Sequence, residues 1–298
     1  MNYTIHQLQI FLKVVETRSI TRAAEAMYIS QPAASVQLKK FQDQFDIPLT
    51  EVIGRQLYVT DFGSEIAVLA ERVIQELNNI NYRTRAYKGL LAGRLVVSSV
   101  STGKYVIPYF LSGFLEKNPG IDLVLDVTNK RKVVDSLKDN LIDFALVSVL
   151  PDRLEVEEEL LLENKLYLVG REPEWDKEKP LIYREEGSAT RMAMELYFQK
   201  HSSNRRKGIE LTSNEAVKQA VISNIGISLI PLIGIQNELM NKQLYILPAH
   251  DLPVITRWRI IWLKGKMLSP VATAFLAYVR ENKLLLLDTH FKWFLEYA

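Results

Sequence analysis

The chain has 298 residues, 48% hydrophobic and 24% charged, with a formal net charge of +2 and no cysteine. That length allows about two or three domains with well-formed cores, and the composition excludes collagen-like, disulfide-scaffold and disordered classes. Without cysteine there are no disulfides, thiolate zinc sites, iron–sulfur clusters, thiol nucleophiles or thiol sensors, while so small a net charge neither implies nor excludes nucleic acid as a partner.

The opening MNYTIHQLQIF has neither a basic n-region nor an apolar h-region, so no secretory signal is expected. Leu8, Phe11, Leu12 and Val15 fall at i, i+3, i+4 and i+7, an amphipathic helix stopping near Arg18-Ser19. A second helix starts at Ile20-Thr21, where Ala23 and Ala24 are small enough to let another helix pack closely. Tyr28-Ile29 is read as a turn, Ser30 as the N-cap of a third helix and Pro32 as part of its first turn. That helix runs to Gln42, burying Ala34, Leu38 and Phe41 and turning Gln31, Ser35 and Lys39 outward.

Leu57 to Thr60 reads as a short strand, one arm of a wing, and Asp61-Phe62-Gly63 as the turn into a long helix ending near Ala92. Within that helix Ile66, Ala70, Val73, Leu77, Ile80, Thr84 and Tyr87 recur at steps of four and three, the seam along which two helices pair. The alternative is a lone amphipathic helix docked on its own protein. About 25–30 residues give a rod of roughly 40 Å.

From Gly93 onward, apolar β-rich runs alternate with helical patterns, which predicts α/β architecture. Strands are expected at Arg94–Val100, Ile121–Val127 and Phe144–Val149, with a helix from Ser101-Thr102-Gly103-Lys104 through Phe114 and another over Val133–Lys138. This order predicts a parallel sheet with ligand sites at strand C-termini. A second unit begins near Leu166 and closes on the strand Arg257–Leu263. The helix Pro270–Asn282 returns to the first unit, and Leu284–Ala298 reads as a further helix of unassigned role. Residues 155–159 read as a solvated acidic face. The apolar stretch 221–235 is broken by Ser223, Asn224, Gly226, Ser228 and Pro231, short of the ~18 apolar residues of a membrane span. A cytoplasmic location away from any membrane follows as the expectation.

Catalytic motifs are missing. Gly103-Lys104 lacks both the upstream glycine and the following Ser/Thr of a phosphate-binding loop, and neither G-x-G-x-x-G nor G-x-S-x-G occurs. His6, His201, His250 and His290 are scattered without metal spacing. No enzyme, metal or cofactor is therefore expected.

Two helices crossing at alanines, a tight turn and then Ser30-Gln31-Pro32-Ala33-Ala34-Ser35 have the spacing of a helix-turn-helix; the alternative is a plain three-helix bundle. Gln31 can make paired hydrogen bonds to adenine, Ser35 can reach a base or phosphate, and Val36 can touch a thymine methyl. Arg22, Lys39, Lys40 and Arg55 would neutralise phosphates. With Ser30 and Pro32 opening the helix, these residues form the expected face for double-stranded operator DNA.

Phe11 to Gly63 resembles the LysR-type transcriptional regulators, through F-x-x-V-x-E, S-I-T-R-A-A-E-A, S-Q-P-A-A-S-V-Q-L and L-Y-V-T-D-F-G. V-S-T-G-K-Y-V-I-P, V-T-N-K-R-K-V, G-S-A-T-R and S-N-E-A-V-K-Q-A-V extend the resemblance over nearly the whole chain, toward the subgroup that regulates carbon-fixation operons. Arg18, Phe41-Gln42, Thr50 and Asn224 depart from that pattern, Arg18 and Asn224 standing where glycine is usual. The resemblance implies a winged helix-turn-helix (1–59), a dimerising linker helix (60–92) and a two-lobed, periplasmic-binding-protein-like effector domain (93–298). Lobe one would comprise 93–163 plus 266–298, and lobe two 164–265. It further implies a dimer or tetramer, with RNA polymerase as a partner.

Ser101-Thr102-Gly103-Lys104 and Ser188-Ala189-Thr190-Arg191 each end a strand and open a helix, offering hydroxyls and free N–H groups at a positive helix end. Thr128-Asn129 follows the second strand of lobe one. Ser101, Thr102, Gly103, Lys104, Thr128, Asn129, Ser188, Thr190 and Arg191 are thus the expected site for a small anionic effector; simple helix capping is the alternative. An enzyme on a two-lobed scaffold would need a catalytic motif, and a transport-type binding protein a signal peptide.

Overall fold

The computed structural model describes residues 2–54, 56–86, 91–174, 176, 178–201 and 207–297, with backbone only at 78–79 and 81–86. It divides into two compact units, Met1–Leu90 and Leu91–Ala298.

The first unit contains α1 (Ile5–Thr17), α2 (Ile20–Ala26), α3 (Gln31–Gln42), the antiparallel pair β1 (Thr50–Ile53) and β2 (Gln56–Val59), and α4 (Asp61–Ala86). Local chemistry sets the helix starts. Thr4 and Gln7 form a reciprocal capping box, Ser19 accepts from Arg22 N–H, and Ser30 accepts from Ala33 N–H with Pro32 in the first turn. Ile10, Phe11, Val14, Ala23, Ala24, Ala34, Leu38 and Phe41 form the core between the helices. Gln42 and Thr50, both departures from the LysR pattern, bond to each other: the Gln42 carboxamide oxygen accepts from Thr50 N–H (3.1 Å) and from its hydroxyl (2.7 Å).

The expected turn at Asp61-Phe62-Gly63 is already helical. Thr60 is the cap, its hydroxyl accepting from Gly63 N–H at 2.9 Å. A Cβ on Gly63 would stand 2.0 Å from the Leu49 carbonyl oxygen, so only glycine lets α4 start this close to the wing. Ala67 and Ala70 join the core of this unit, whereas Val73 and Ile80 are exposed. The first turns of the long helix are therefore integral to the core of this unit. Of the expected seam, the Thr84 side chain and Tyr87 lie outside the described residues. The long helix is described only to Ala86, and Ala92, expected at its end, instead opens the first strand of the next unit.

The second unit runs β3 (Ala92–Val100), α5 (Ile107–Lys117), β4 (Gly120–Thr128), α6 (Lys130–Lys138), β5 (Phe144–Val147), β6 (Val156–Gly170), β7 (Leu181–Arg184), α7 (Ala189–His201), β8 (Gly208–Leu211), α8 (Asn214–Ile222), β9 (Ser228–Pro231), α9 (Gln236–Met240), β10 (Tyr245–Ile246), β11 (Val254–Leu263) and α10 (Pro270–His290). Strands β5, β3 and β4 are parallel, as the βαβ order predicts. The expectation of a parallel sheet fails beyond them, because β11 lies antiparallel to both β5 and β6, and β9 and β10 antiparallel to β6. Strands β6 and β11 pass through both lobes as one pair with a bulge at Trp258/Arg259. Since Arg259–Ile261 already pair with β5, the return to lobe one falls inside β11 rather than at residue 266.

Three further local expectations change. Ser101–Tyr105 is a short 3-10 turn, and the α-helix begins only at Ile107, where Pro108 occupies the first turn. The acidic run 155–159 is not simply a solvated face: it enters β6, where Glu158 pairs with Arg259 (2.8 Å) and Glu159 with Arg280 (2.8 Å) and Lys283 (2.6 Å). Residues 284–290 continue α10 instead of forming a separate helix, and a 3-10 turn over Lys292–Tyr297 follows. That tail buries Phe291 and Phe294 in the core, and Tyr167 Oη donates to the Tyr297 carbonyl. The unassigned C-terminus thus closes the core of the sheet.

Candidate DNA interface and effector cleft

On α3, buried Ala34, Leu38 and Phe41 leave the opposite side to solvent. Ser30, Gln31, Pro32, Val36, Lys39 and Lys40 are exposed, Val36 to 52%, and Ser35 is half-buried. A run of accessible polar and small apolar side chains at a helix start is what major-groove reading requires. Arg22 is exposed on α2, its guanidinium donating to the Thr17 carbonyl. Arg55 lies outside the described residues. Gln7 Nε2 donates to Gln37 Oε1 at 3.1 Å, fixing the rotation of α3 against α1.

In the second unit, a narrow cleft opens where the strands of both lobes end. Lobe one lines it with Ser101, Thr102, Asn129, Lys130 and Ser148, and lobe two with Arg184, Glu185, Ser188 and Thr190. Arg184 ends β7 and is 4% exposed. Its Nε and Nη2 donate to Glu185 at 2.7 Å each, and both terminal nitrogens lie 3.3 Å from Ser101 Oγ. Asn214 Nδ2, at the start of α8, donates to the same hydroxyl at 3.0 Å. Asn129 caps α6, accepting from Lys132 N–H at 3.0 Å. The first residues of α7, Ala189 and Thr190, face the cavity. The cleft therefore combines a nearly dry guanidinium, an ammonium and the positive ends of α6 and α7, a combination suited to a small anion.

Ser101, Thr102, Asn129, Ser188 and Thr190 come together here as expected from the sequence. Four others do not line the cavity. A Cβ on Gly103 would fall 2.1 Å from Ser99 Oγ and 2.6 Å from Leu146 Cδ2, so Gly103 serves close packing. Lys104 turns into a separate cavity with Tyr105, Lys218 and His290. Thr128 ends β4 beside the cleft without lining it. Arg191 is bound instead by Glu195 (2.7 Å), Glu210 (2.5 Å) and the Arg184 carbonyl (3.0 Å). Hydrogen bonds from Arg191 to Glu195 and Glu210 hold its charge more firmly than usual.

The cations of the cleft are thus Arg184 and Lys130, not Arg191 and Lys104. Lys130 and Ser148 share a signal available in sequence: they stand near the C-terminal ends of the expected strands Ile121–Val127 and Phe144–Val149, where ligands bind in α/β sheets. The histidines also depart from expectation. His201 and His250, far apart in the chain, both meet Asp251.

Two family profiles match the chain: "Bacterial regulatory helix-turn-helix protein, lysR family" over residues 5–64 and "LysR substrate binding domain" over residues 88–283. A RuBisCO operon transcriptional regulator of Allochromatium vinosum is 35% identical over 291 residues, covering 94% of this chain and 96% of that one. The HTH-type transcriptional activator CmpR of a Synechocystis species is 34% identical over 289 residues, covering 93% and 95%. Among solved structures, the regulatory domain of Synechocystis CcmR in complex with 2-PG superposes with a TM-score of 0.60 at 33% identity, covering 64% of this chain and 97% of that domain.

Proposed function

Because this chain belongs to the LysR family of bacterial transcriptional regulators, we propose that a small anion held in the Arg184 cleft controls how it engages its operator. The observation that carries this reading is the convergence on Ser101 of Arg184 and Asn214 from lobe two, inside a cavity lined by both lobes. A ligand bonding to both sides of that junction binds one relative arrangement of the lobes better than another, and only such a difference in affinity shifts a population. The 2-PG bound by the related CcmR domain, 2-phosphoglycolate, carries a phosphate and a carboxylate and matches the chemistry of the cleft.

At the other end of the chain, Gln31 and Val36 read bases, while Arg22, Lys39 and Lys40 hold phosphates. The α4 seam, on which Val73 and Ile80 are solvent-exposed, pairs with a second copy, bringing two reading helices to a two-fold operator. RNA polymerase at the neighbouring promoter is then the downstream target.

Calorimetric titration of the full chain with 2-phosphoglycolate tests the cleft. Saturable binding is expected, weakened tenfold or more in Arg184→Gln and unchanged in Gln31→Ala. Equal binding by wild type and Arg184→Gln would remove the ligand from this cleft.

A further inference from the structure

Two of the four histidines in the chain meet one carboxylate on the surface of the second unit. His201 ends α7, and His250 and Asp251 lie in the connection between β10 and β11. His201 Nε2 is 3.2 Å from Asp251 Oδ2, and His250 Nδ1 is 2.7 Å from Asp251 Oδ1. Among the described residues, this is the only trio of imidazole and carboxylate ligands whose donor atoms all lie within 4.8 Å of one another.

We propose that His201, His250 and Asp251 bind a divalent transition metal of the zinc class through two imidazole nitrogens and one carboxylate oxygen, with a solvent-facing fourth position. Bonds of about 2.0–2.2 Å in a tetrahedron place donor atoms roughly 3.3–3.6 Å apart. The imidazoles meet different oxygens of Asp251, and one donor atom from each residue lies within 4.8 Å of the other two, so side-chain rotations at this surface can draw the three onto an ion. Two nitrogen donors disfavour magnesium and calcium, which take oxygen.

The two segments that carry the ligands share one buried anchor. Buried Tyr197 donates its hydroxyl to the His250 carbonyl at 3.0 Å, while its ring lies 4.7 Å from that of His201. One side chain thus packs on the His201 ring and anchors the backbone of His250. Lys200 Nζ donates to Asp251 Oδ2 at 2.7 Å. Lys200 also competes with a metal for that oxygen, but its side chain is 71% exposed and can swing into water. A bound ion would clamp the last turn of α7 to the segment before β11. The first turn of the same helix lines the anion cleft.

Cobalt(II) titration of the untagged, chelator-treated full chain reads the site directly through visible ligand-field absorption, which zinc should then abolish. The expected result is one equivalent per chain. Binding should be at least tenfold weaker in His201→Gln and in His250→Gln, and equal or tighter in Lys200→Ala, where the competing ammonium is gone. Circular dichroism should match wild type in all three, since the altered groups lie at the surface. No absorption in wild type, an unchanged titration in either histidine variant, or lost binding in Lys200→Ala would overturn the assignment.

Discussion

Arg184 and Ser101 face each other across the cleft, both terminal guanidinium nitrogens standing 3.3 Å from the serine hydroxyl. The charge of Arg184 is meanwhile met from its own side by Glu185, through two bonds of 2.7 Å. An incoming anion therefore competes with Glu185 for the guanidinium fork while gaining Ser101 and the helix starts.

This competition sets opposite signs for two variants. Glu185→Gln should bind 2-phosphoglycolate several-fold more tightly, because the rival carboxylate is removed. Arg191→Ala should bind close to wild type, because Arg191 is spent on Glu195 and Glu210 outside the cavity. Calorimetry on the two proteins decides both.

On the DNA side, base reading and phosphate attraction separate experimentally. Gln31→Ala should cost about 1–3 kcal/mol on the cognate operator and little on unrelated DNA. Lys40→Ala should weaken both alike and reduce the salt dependence by about one phosphate contact. Fluorescence anisotropy over a salt series distinguishes them.

Arg18 has φ of 49° at the C-cap of α1, and Asn224 a φ of 62° after α8. Both stand where the LysR pattern usually has glycine, and the backbone has kept the left-handed conformation that glycine favours. Arg18→Gly should raise the stability of the first unit by about 0.5–1 kcal/mol by relieving that strain. Gly63→Ala should lower it by about 1–3 kcal/mol, as its methyl collides with Leu49. Urea denaturation measures both changes.

Ile80 is 62% exposed and Val73 46%. A charge on this seam would have to be buried without a partner in a paired helix. Ile80→Asp should therefore release monomers in sedimentation velocity while leaving the circular dichroism spectrum unchanged.

Acid should loosen the attachment of α10 to β6. Burial disfavours the charge on Glu159, but hydrogen bonds from Lys283 and Arg280 outweigh it and hold the carboxyl below the usual glutamate range. A carboxyl depressed in the folded state contributes stability above its unfolded value and loses it as pH falls through the folded one. Glu159→Gln should therefore be less stable than wild type at neutral pH, with the difference shrinking in chemical denaturation as pH falls below the usual glutamate range.

The winged helix-turn-helix was legible because its determinants are local: caps at Ser19 and Ser30, Pro32 in a first turn, and apolar side chains spaced to one helix face. The long helix was readable for the same reason, although Thr60 rather than the Asp61–Gly63 segment starts it. Ser101, Asn129 and Ser188 were legible only as polar residues placed after strand ends, a position that residue spacing does encode.

What the sequence by itself determined is where helices and strands form, because periodicity and capping act over a few residues. Tertiary structure alone decided which way side chains at the element ends point and what they meet. Arg184 enters the cleft while Arg191, on the following helix, is drawn away by Glu210 on β8. Glu159 finds Arg280 and Lys283 on a helix far along the chain, and His201 meets His250 through the shared carboxylate of Asp251. Strand register and helix packing fix these meetings over distances at which residue spacing carries no signal. A near-neutral, cysteine-free chain thus announced its fold and family, while the charges gathered around Arg184 and Asp251 emerged only from tertiary packing.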